Sequence, residues 1–551
     1  MTNMDKYTNI PAEKFRFAQR TDLAHDKKFD TKPVTYFQGA FRRFCKNKGA
    51  VVAAVVISIL LLFAIIAPFC TSYTPAYYDP NFAAARPKNP LFENTNFWDG
   101  YREKEVGYLQ YFKDYALGLE IGEDVIKNGK VDITENDDGS KLYKYRFDTY
   151  HGGGFGMYRQ ITPEEFEDIQ RYQIENDVQV LYPVVKKSDR PQTKEAESDA
   201  NIYYKTKKKN GKSVPDLDEN GNLQLNYWLR TEKVEEGGIV AKYTSRRIEG
   251  EDGIIQQVPV YDENGKQMMD ENGMPIMQDQ TFYYVYGVKV EGGNIEVRLE
   301  NYQYYTYEHK VKLQDGIGEP LFLFGSTDID GKDIFSCLAN GARFSFVFAL
   351  VVAIVNLVVG AIWGSISGYF GGRLDLFMER FCEILGSVPS MIIITLLKYH
   401  MGTSSHVIVL FIAFFATGWI GMAGTTRMQF YRFKNQEYVL AARTLGAKDT
   451  RIMFKHIFPN GLGTLVTRCA LVIPSMIYSE ANLSYLGIIN LEAGDVTSVG
   501  TMIATGQTQY LQAPYVAFFP CAFLVLLMLS FNLFGNGLRD AFNPSLRGSE
   551  D

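Results

Sequence analysis

Histidine and cysteine are scarce in this sequence, with six of each among 551 residues. The cysteines form no CxxC pair and no Cys/His cluster, which argues against a zinc site and a disulfide scaffold. Only His151 and His309 lie in the long polar stretch 71–320. That stretch contains no HExxH and no GxSxG motif, so a metalloprotease or a serine hydrolase would lack its central residues.

Charge is also absent from several long runs. Residues 50–70 carry no charged side chain, and about 20 apolar residues suffice to cross the hydrocarbon core as a helix. The run is apolar on every face, which disfavours a buried helix of a soluble protein. Five further long apolar runs, with few charged residues, lie at about 344–369, 375–399, 405–426, 461–486 and 514–537. The sequence therefore predicts a polytopic α-helical membrane protein with six transmembrane helices.

The charges that are present are segregated along the chain. Residues 71–320 hold 44 acidic and 31 basic residues, whereas the remainder holds 19 acidic and 26 basic ones. Seven bases lie in 427–460 and none in 487–513. Because basic loops stay on the cytoplasmic side, we expect a multi-pass cell-membrane protein with both termini in the cytoplasm and 71–324 outside.

This pattern divides the chain into five parts. They are a basic cytoplasmic segment 1–49, transmembrane helix 1 at 50–70, an extracytoplasmic insertion 71–324, a membrane core 325–540 and a cytoplasmic tail 541–551. Strand-like runs near Phe282 and Asn294 favour a mainly β insertion.

Two features of the insertion remain open. Residues 216–221 fit a tight turn or the first half of a calcium loop, although Tyr227 stands where such a loop needs Glu. Cys70 and Cys337 flank the insertion on the same expected side of the membrane, so a disulfide between them is possible.

A polar stretch, 437–460, interrupts the apolar runs. Tyr438, Ala441/Ala442 and Leu445 recur at helical spacing and predict an apolar stripe. Gly446 is expected to end this helix. Asp449 is expected to cap a second short helix that Pro459 closes.

The same stretch resembles the coupling motif of ABC-importer permeases, through Glu437, Ala441, Ala442, Gly446 and Pro459. Leu440 departs from the Glu that this motif usually has before its Ala-Ala pair.

The resemblance extends over 325–547, where the chain is similar to the C-type permease subunit of dipeptide/oligopeptide importers. It includes Ser-Glu-Ala-Asn-Leu-Ser-Tyr-Leu-Gly at 479–487 and Phe-Asn-Leu-Phe-Gly-Asn-Gly-Leu-Arg-Asp-Ala-Phe-Asn-Pro at 531–544. At 498–500 the chain reads Ser-Val-Gly instead of Ser-Trp-Gly. The resemblance implies a type I ABC importer permease fold with a large insertion between helices 1 and 2.

That resemblance also implies a role and partners. The chain would form half of the pathway for oligopeptides or dipeptides, beside a B-type permease, two cytoplasmic ATPases and an extracytoplasmic binding lipoprotein, in contact with membrane lipid and without nucleic acid. It would hold no catalytic residue, cofactor or metal, since ATP and Mg²⁺ would sit on the ATPases.

The residues expected to couple to the ATPases are Glu437, Tyr438, Ala441, Ala442, Arg443, Leu445, Gly446, Ala447, Ile452, His456 and Pro459. Arg468 and Glu480 are charged residues within an expected span, and such residues are functional candidates. They would line the pathway or join helices.

Three alternatives remain. The same permease role could serve a nickel chelate, an opine or an oligosaccharide. A membrane-anchored surface enzyme could use a carboxylate pair of the insertion. An adhesion protein would explain the Tyr-rich insertion but not the ordered motif at 437–460.

Overall fold

A computed structural model provides the fold of the chain. It describes residues 36–92, 95–121, 124–136, 139–151, 157–176, 178–182, 204, 206–210, 212–224, 243–247, 257–260, 267–270, 273–279, 281–285, 288–289, 291–327, 329–401, 406–489, 491 and 496–542. Three parts of the chain discussed above lie outside these residues. They are Tyr227, which stands at the last position of the calcium-loop alternative, most of the N-terminal segment, and the tail beyond 542.

Helices dominate both ends of the described chain. They are α1 (Tyr36–Lys46), α2 (Lys48–Cys70), α3 (Tyr108–Ile121), α4 (Pro163–Asn176), α5 (Asn301–Tyr307), α6 (Ile334–Phe370), α7 (Gly372–Ser387), α8 (Ser390–Met401), α9 (His406–Thr417), α10 (Ile420–Phe433), α11 (Glu437–Thr444), α12 (Asp449–Arg451), α13 (Phe458–Tyr485), α14 (Val499–Thr508) and α15 (Pro514–Phe542).

Strands are found between α2 and α6. They are β1 (Tyr101–Gly107), β2 (Ile126–Glu135), β3 (Lys141–Asp148), β4 (Met157–Ile161), β5 (Leu181–Tyr182), β6 (Thr206–Lys209), β7 (Lys212–Pro215), β8 (Tyr243–Arg247), β9 (Gln257–Pro259), β10 (Met277–Asp279), β11 (Thr281–Val285), β12 (Val288–Lys289) and β13 (Ile295–Leu299).

Among the described residues, five helices are long and apolar enough to cross a membrane. The pair α7–α8 makes a sixth if it counts as one span. The sequence predicted one continuous helix over 375–399, but the pair is bent by 70°. The bend lies at Val388, whose backbone is extended, because the residue before a proline disfavours the helical conformation and Pro389 follows it.

The membrane helices pack closely where their residues are small. A Cβ on Gly364 of α6 would lie 2.2 Å from the carbonyl oxygen of Ala423 in α10. Gly360 and Gly368 face α10 in the same way, one turn to either side. Small residues at such positions allow two helix backbones to approach. The packing at these glycines is therefore tight, and it fixes α10 against α6.

The main apolar core joins the helices α2, α6, α13, α14 and α15. Its buried side chains include Ile57, Ala349, Ile477, Val499 and Phe523. Sequence-distant helices thus share one core, as helix bundles do.

The insertion contains helices as well as strands, so the expectation of a mainly β fold holds only in part. An antiparallel sheet β1-β3-β2 packs against α3, and β12-β13-β4, with β5 beside β13, packs near α4 and α5. At 216–221 the Asp218 carboxylate accepts from the backbone N–H groups of Asn220 and Asn222 at 2.9 and 2.7 Å. That geometry is an Asx turn.

A buried aromatic cluster lies within the insertion. Tyr73, Phe82, Tyr150, Tyr305 and Phe322 pack together there. Tyr515 at the start of α15 donates to the carbonyl oxygens of Ala85 at 2.9 Å and Ser326 at 3.1 Å. These hydrogen bonds connect the insertion to the membrane helix α15. Among the described residues, no disulfide joins Cys70 and Cys337.

Candidate functional site: the loop between α10 and α13

Residues 437–460, predicted to be the coupling loop and called so here, lie between the candidate span that ends at Phe433 and the long helix that runs to Tyr485. The first part is the helix α11, as the sequence predicts, and Gly446 follows it with a left-handed φ of +79°. A residue with a side chain adopts that φ reluctantly, which explains the glycine. The second part begins at Asp449, but Lys448 and not Asp449 occupies the cap position. The carboxylate of Asp449 instead accepts a hydrogen bond from the Tyr369 hydroxyl at 2.5 Å.

Pro459 does not close the second helix, contrary to the prediction. The helix runs on from Asp449 to Tyr485 as one candidate span. A π-helical turn, Ile452–Ile457, precedes the proline, which stands in the first turn of α13. Proline lacks the N–H that an α-helix interior needs. The wider π-turn provides the local change in hydrogen bonding that such interruptions require, so the second part of the loop, from Asp449, and α13 form one continuous helix.

The two faces of the coupling loop differ. Val439, Ile452, Met453 and Ile457 are buried against Tyr369 and Phe430 at the ends of α6 and α10. The residues expected to contact the ATPases mostly point away from this core. The exposed residues of this set are Glu437, Tyr438, Ala441, Arg443, Leu445, Gly446 and Pro459. The half-buried ones are Ala442, Ala447 and His456.

Leu445 marks the outward face most clearly. Its side chain is 87% exposed, although it is large and apolar. The stripe of Tyr438, Ala441/Ala442 and Leu445 thus lies on an unpartnered side of the loop within the described chain. Burial raises the pKa of Tyr438, and its hydroxyl accepts from Asn460 Nδ2 at 3.1 Å. Ile452 is the exception among the expected contact residues, because it lies fully inside the core.

Tyr369 was not singled out from the sequence, yet it holds the loop in place. Its hydroxyl contacts the Asp449 carboxylate and accepts from Arg443 Nη2 at 3.3 Å. The available signal was its place in the Gly-Tyr-Phe-Gly-Gly turn at 368–372. The turn brings the end of α6 under both halves of the loop.

A cluster of hydrogen-bonded side chains around Asp375 was also not identified from the sequence. The Asp375 carboxylate accepts two hydrogen bonds from Arg427, both at 2.7 Å, one from Tyr431 at 2.6 Å and one from Ser367. Bidentate pairing of arginine with a carboxylate is directional as well as strong. Glu379 adds a second carboxylate 3.2 Å from Arg427. The group joins α6, α7 and α10 directly below the coupling loop.

The buried anchor of the loop can be tested separately from its outward face. Ile452→Ala removes a fully buried side chain, and such truncations cost about 2–5 kcal/mol. We expect faster hydrogen exchange across 437–457 in the purified protein. Phe454→Ala in the same turn removes an exposed ring and is the matched control. Equal exchange in the two variants would contradict the anchoring role of Ile452.

The two charged candidates of α13 have different environments. Glu480 is fully buried in the helix bundle and accepts from Ser345 Oγ at 3.2 Å and Ser484 Oγ at 3.0 Å. Arg468 is exposed, and its Nη2 lies 3.5 Å from where a Cβ of Gly421 would be. No described acidic residue lies within ion-pair distance of Arg468. Glu480 thus joins α13 to α6, while Arg468 faces outward from the described chain.

Comparison with known proteins gives consistent matches at both ends of the chain. A family profile described as "Binding-protein-dependent transport system inner membrane component" matches residues 358–548. Another, "N-terminal TM domain of oligopeptide transport permease C", matches residues 35–90. Neither profile covers 91–357.

Individual relatives match the membrane core. The "Oligopeptide transport system permease protein OppC" of Bacillus subtilis is 44% identical over 224 residues, which cover 41% of this chain and 72% of the relative. The "Dipeptide transport system permease protein DppC" of the same organism is 38% identical and covers 41% and 69%, respectively. The OppC of Haemophilus influenzae is also 38% identical and covers 41% and 71%.

A solved structure, "Inward facing conformations of the MetNI methionine ABC transporter", covers 38% of this chain and 96% of its own. At 17% identity and a TM-score of 0.30, that match supports no argument. The sequence relatives do, because at 38–44% identity they extend over more than two thirds of their own length. They confirm the resemblance that the motifs indicated. The chain therefore belongs to the inner-membrane components of binding-protein-dependent transport systems, among the oligopeptide and dipeptide permeases.

Proposed function

We propose that this chain forms half of the membrane pathway of an ATP-driven importer for oligopeptides or dipeptides, and that cytoplasmic ATPases drive it through the coupling loop. The observation that carries the proposal is the exposed apolar stripe of the loop, with Leu445 at its end. Several apolar side chains exposed side by side, unlike a single exposed residue, indicate a contact surface. The names of the relatives supply the substrate class.

The contacts of the coupling loop with α6 and α13 explain how a movement of the ATPases would pass to the membrane helices. The second half of the loop, from Asp449, continues into α13 as one helix. Tyr369 of α6 contacts both Asp449 in that half and Arg443 in α11. A force applied at Leu445, at the end of α11, would therefore pass through these contacts to α6 and α13. Closure of the ATPases would tilt α13 with its neighbours and switch the pathway between outward and inward access, as packed helices move between discrete arrangements.

The remaining parts of the assembly follow from this role. The chain forms six spans of the type I importer fold, with α7–α8 as one broken span, both termini in the cytoplasm and the insertion outside. A B-type permease forms the other half of the pathway, and a binding lipoprotein delivers substrate. The ATPases hold ATP and Mg²⁺, and this chain catalyses no reaction.

Isolation of the intact complex tests the assignment. The tagged chain, purified in mild detergent, should retain a second permease and ATPase subunits, identified by mass spectrometry. Vesicles that contain the complex should then take up a labelled oligopeptide only when ATP is present on the side of the membrane where the ATPases lie. A monodisperse chain without any ATPase partner would refute the coupling role. Uptake of a nickel chelate, an opine or an oligosaccharide instead of peptide would refute only the substrate class.

The exposed side of α13 forms part of the pathway in this proposal. Exposed positions recur at Thr464, Arg468, Ser475 and Asn482, a spacing that places them on one helix face. This face is polar, whereas the exposed positions of α15, such as Val525 and Leu529, are apolar. Polar side chains within a membrane face a bundle interior or water, so the α13 face lines the route of the substrate.

Arg468 provides the prediction for this route. Arg468→Gln should lower ATP-driven peptide uptake about tenfold or more, because it removes the charge that an anionic peptide group would meet in a water-filled passage. Arg468→Lys keeps that charge and should restore part of the uptake. Both variants should assemble like the parent, since no described residue pairs with Arg468. Full uptake by Arg468→Gln would exclude Arg468 from the pathway.

A further inference from the structure

A short loop of the insertion folds back towards the ends of the membrane helices. We call residues 89–98 the aromatic loop, and the structure describes all of it except 93 and 94. Its ends are joined by a hydrogen bond from Asn89 N to the Trp98 carbonyl oxygen at 2.8 Å. Inside, Thr95 N donates to the carbonyl oxygen of Phe92 at 2.8 Å, after the 3₁₀ turn Pro90–Phe92. The loop is therefore closed and internally bonded.

Trp98 fixes the position of the aromatic loop. Its ring stacks on Phe92 at a centroid distance of 5.9 Å, and on Phe324 and Phe519 at 5.8 Å each. The indole N–H donates to the carbonyl oxygen of Leu323. Trp98 adopts a left-handed φ of +62°, which is unfavourable for a bulky residue. Such a conformation persists only where the surroundings enforce it, so the ring is held firmly.

The partners of Trp98 define its depth relative to the membrane helices. Phe519 belongs to α15, which begins at Pro514, and five residues of helix correspond to about 7.5 Å. Phe324 also contacts Phe335, the second residue of α6, at 5.0 Å. Trp98 thus lies beside the ends of two membrane helices and not above them. Tryptophan concentrates at this level in membrane proteins, because its ring is apolar and its N–H is polar.

The outer surface of the loop is apolar at this depth. Leu91 is 87% exposed and Phe97 is 67% exposed. Phe518, next to Phe519, is exposed as well and begins the apolar outer face of α15 that continues through Val525 and Leu529. The loop therefore extends the lipid-facing side of α15 rather than forming an isolated patch.

The described charged residues around the loop lie on its other side. Lys127 donates to the Thr95 carbonyl oxygen at 2.6 Å, and Arg146 donates to the Asn96 side chain at 2.7 Å. Both cations also pair with the buried Asp99. The described part of the aromatic loop, which leaves out Glu93 and Asn94, thus has one polar side, towards the sheet of the insertion, and one apolar side with Leu91 and Phe97, which suits a boundary between water and lipid.

We propose that the aromatic loop is inserted into the interfacial layer of the bilayer, where phospholipid covers Leu91 and Phe97 and anchors the insertion to the membrane surface. The loop lies past residue 90, where the matched N-terminal domain of the family ends. The anchor is independent of the transported substrate and of the ATPases. It holds the insertion at a fixed height over the membrane helices.

The test uses the complete chain with its copurifying partners in lipid nanodiscs. The substitutions Cys45→Ser and Cys70→Ser first remove the two exposed cysteines. Leu91→Cys is then introduced, and an environment-sensitive fluorophore is attached to the new cysteine. Leu91 is so exposed that its replacement should not disturb the fold. Ile133→Cys is the matched control, because Ile133 is also an exposed apolar residue of the insertion but lies on the strand β2.

Phospholipids that carry a nitroxide near the headgroup should quench the label at position 91 several-fold more than the label at position 133. Aqueous iodide should show the reverse order. Equal quenching at the two positions by both agents would place the loop in water and overturn the proposal. A label at position 91 that is shielded from iodide but not quenched by lipid nitroxide would also overturn it, since a protein partner would then cover the loop.

Discussion

Leu445→Asp is expected to leave this chain folded and to uncouple it from ATP hydrolysis. The Leu445 side chain is 87% exposed, so the chain itself loses almost no packing. Truncation or charging of a central interface residue commonly costs about 2 kcal/mol or more, and each loss of about 1.4 kcal/mol weakens binding tenfold. We therefore expect ATPase copurification and ATP-driven peptide uptake to fall by about tenfold or more.

The same substitution at an equally exposed leucine separates docking from a general effect of charge. Leu511 lies in the turn between α14 and α15 and is exposed to a similar degree. Leu511→Asp should retain the ATPases, whereas Leu445→Asp should lose them. Unfolding temperatures of the two variants in detergent should match that of the parent. Undiminished ATPase binding by Leu445→Asp would show that the exposed stripe is not the docking surface.

Arg427→Gln is expected to destabilise the fold substantially. It leaves the Asp375 carboxylate buried without its bidentate partner. Removing one member of a buried ion pair costs about 3–5 kcal/mol, and because Arg427 is partly exposed we expect the lower end, about 3 kcal/mol. The ends of α6, α7 and α10 should separate, which would lower the unfolding temperature and speed hydrogen exchange in the coupling loop.

A nearby exposed pair is the control for this effect. Arg380 pairs with Glu383 within α7, and both side chains are more than half exposed. Exposed pairs contribute about 0–1 kcal/mol, so Arg380→Gln should leave the unfolding temperature nearly unchanged. Similar losses in the two arginine variants would mean that the Asp375 group has no special structural role.

Local patterns accounted for much of the fold. The long apolar runs predicted the candidate spans, and helical spacing followed by Gly446 predicted both the extent and the end of α11. Such features depend on residues close in sequence, which a single chain displays directly. The family resemblance was predictable for the same reason, because its motifs are short and ordered.

What the sequence did not predict depends on contacts between distant residues. Pro459 was expected to end a helix, and only the π-turn before it allows α13 to continue. Asp449 was expected to cap a helix, but Tyr369, 80 residues away, takes its carboxylate. Likewise, nothing near Trp98 in sequence indicates Phe519. At Asp449 and Trp98 contacts between distant residues decide the conformation, whereas at Pro459 a local change of helix type does.

Site-specific crosslinking at position 445 tests the central claim most directly. A photoreactive amino acid placed there should crosslink an ATPase subunit in the intact complex, with a yield that changes between nucleotide-free and ATP-bound states. The same amino acid at position 133, on the insertion, should give no such product. An ATPase adduct at 445 is the result that this account predicts. Adducts at 445 only with lipid or with the second permease would contradict it.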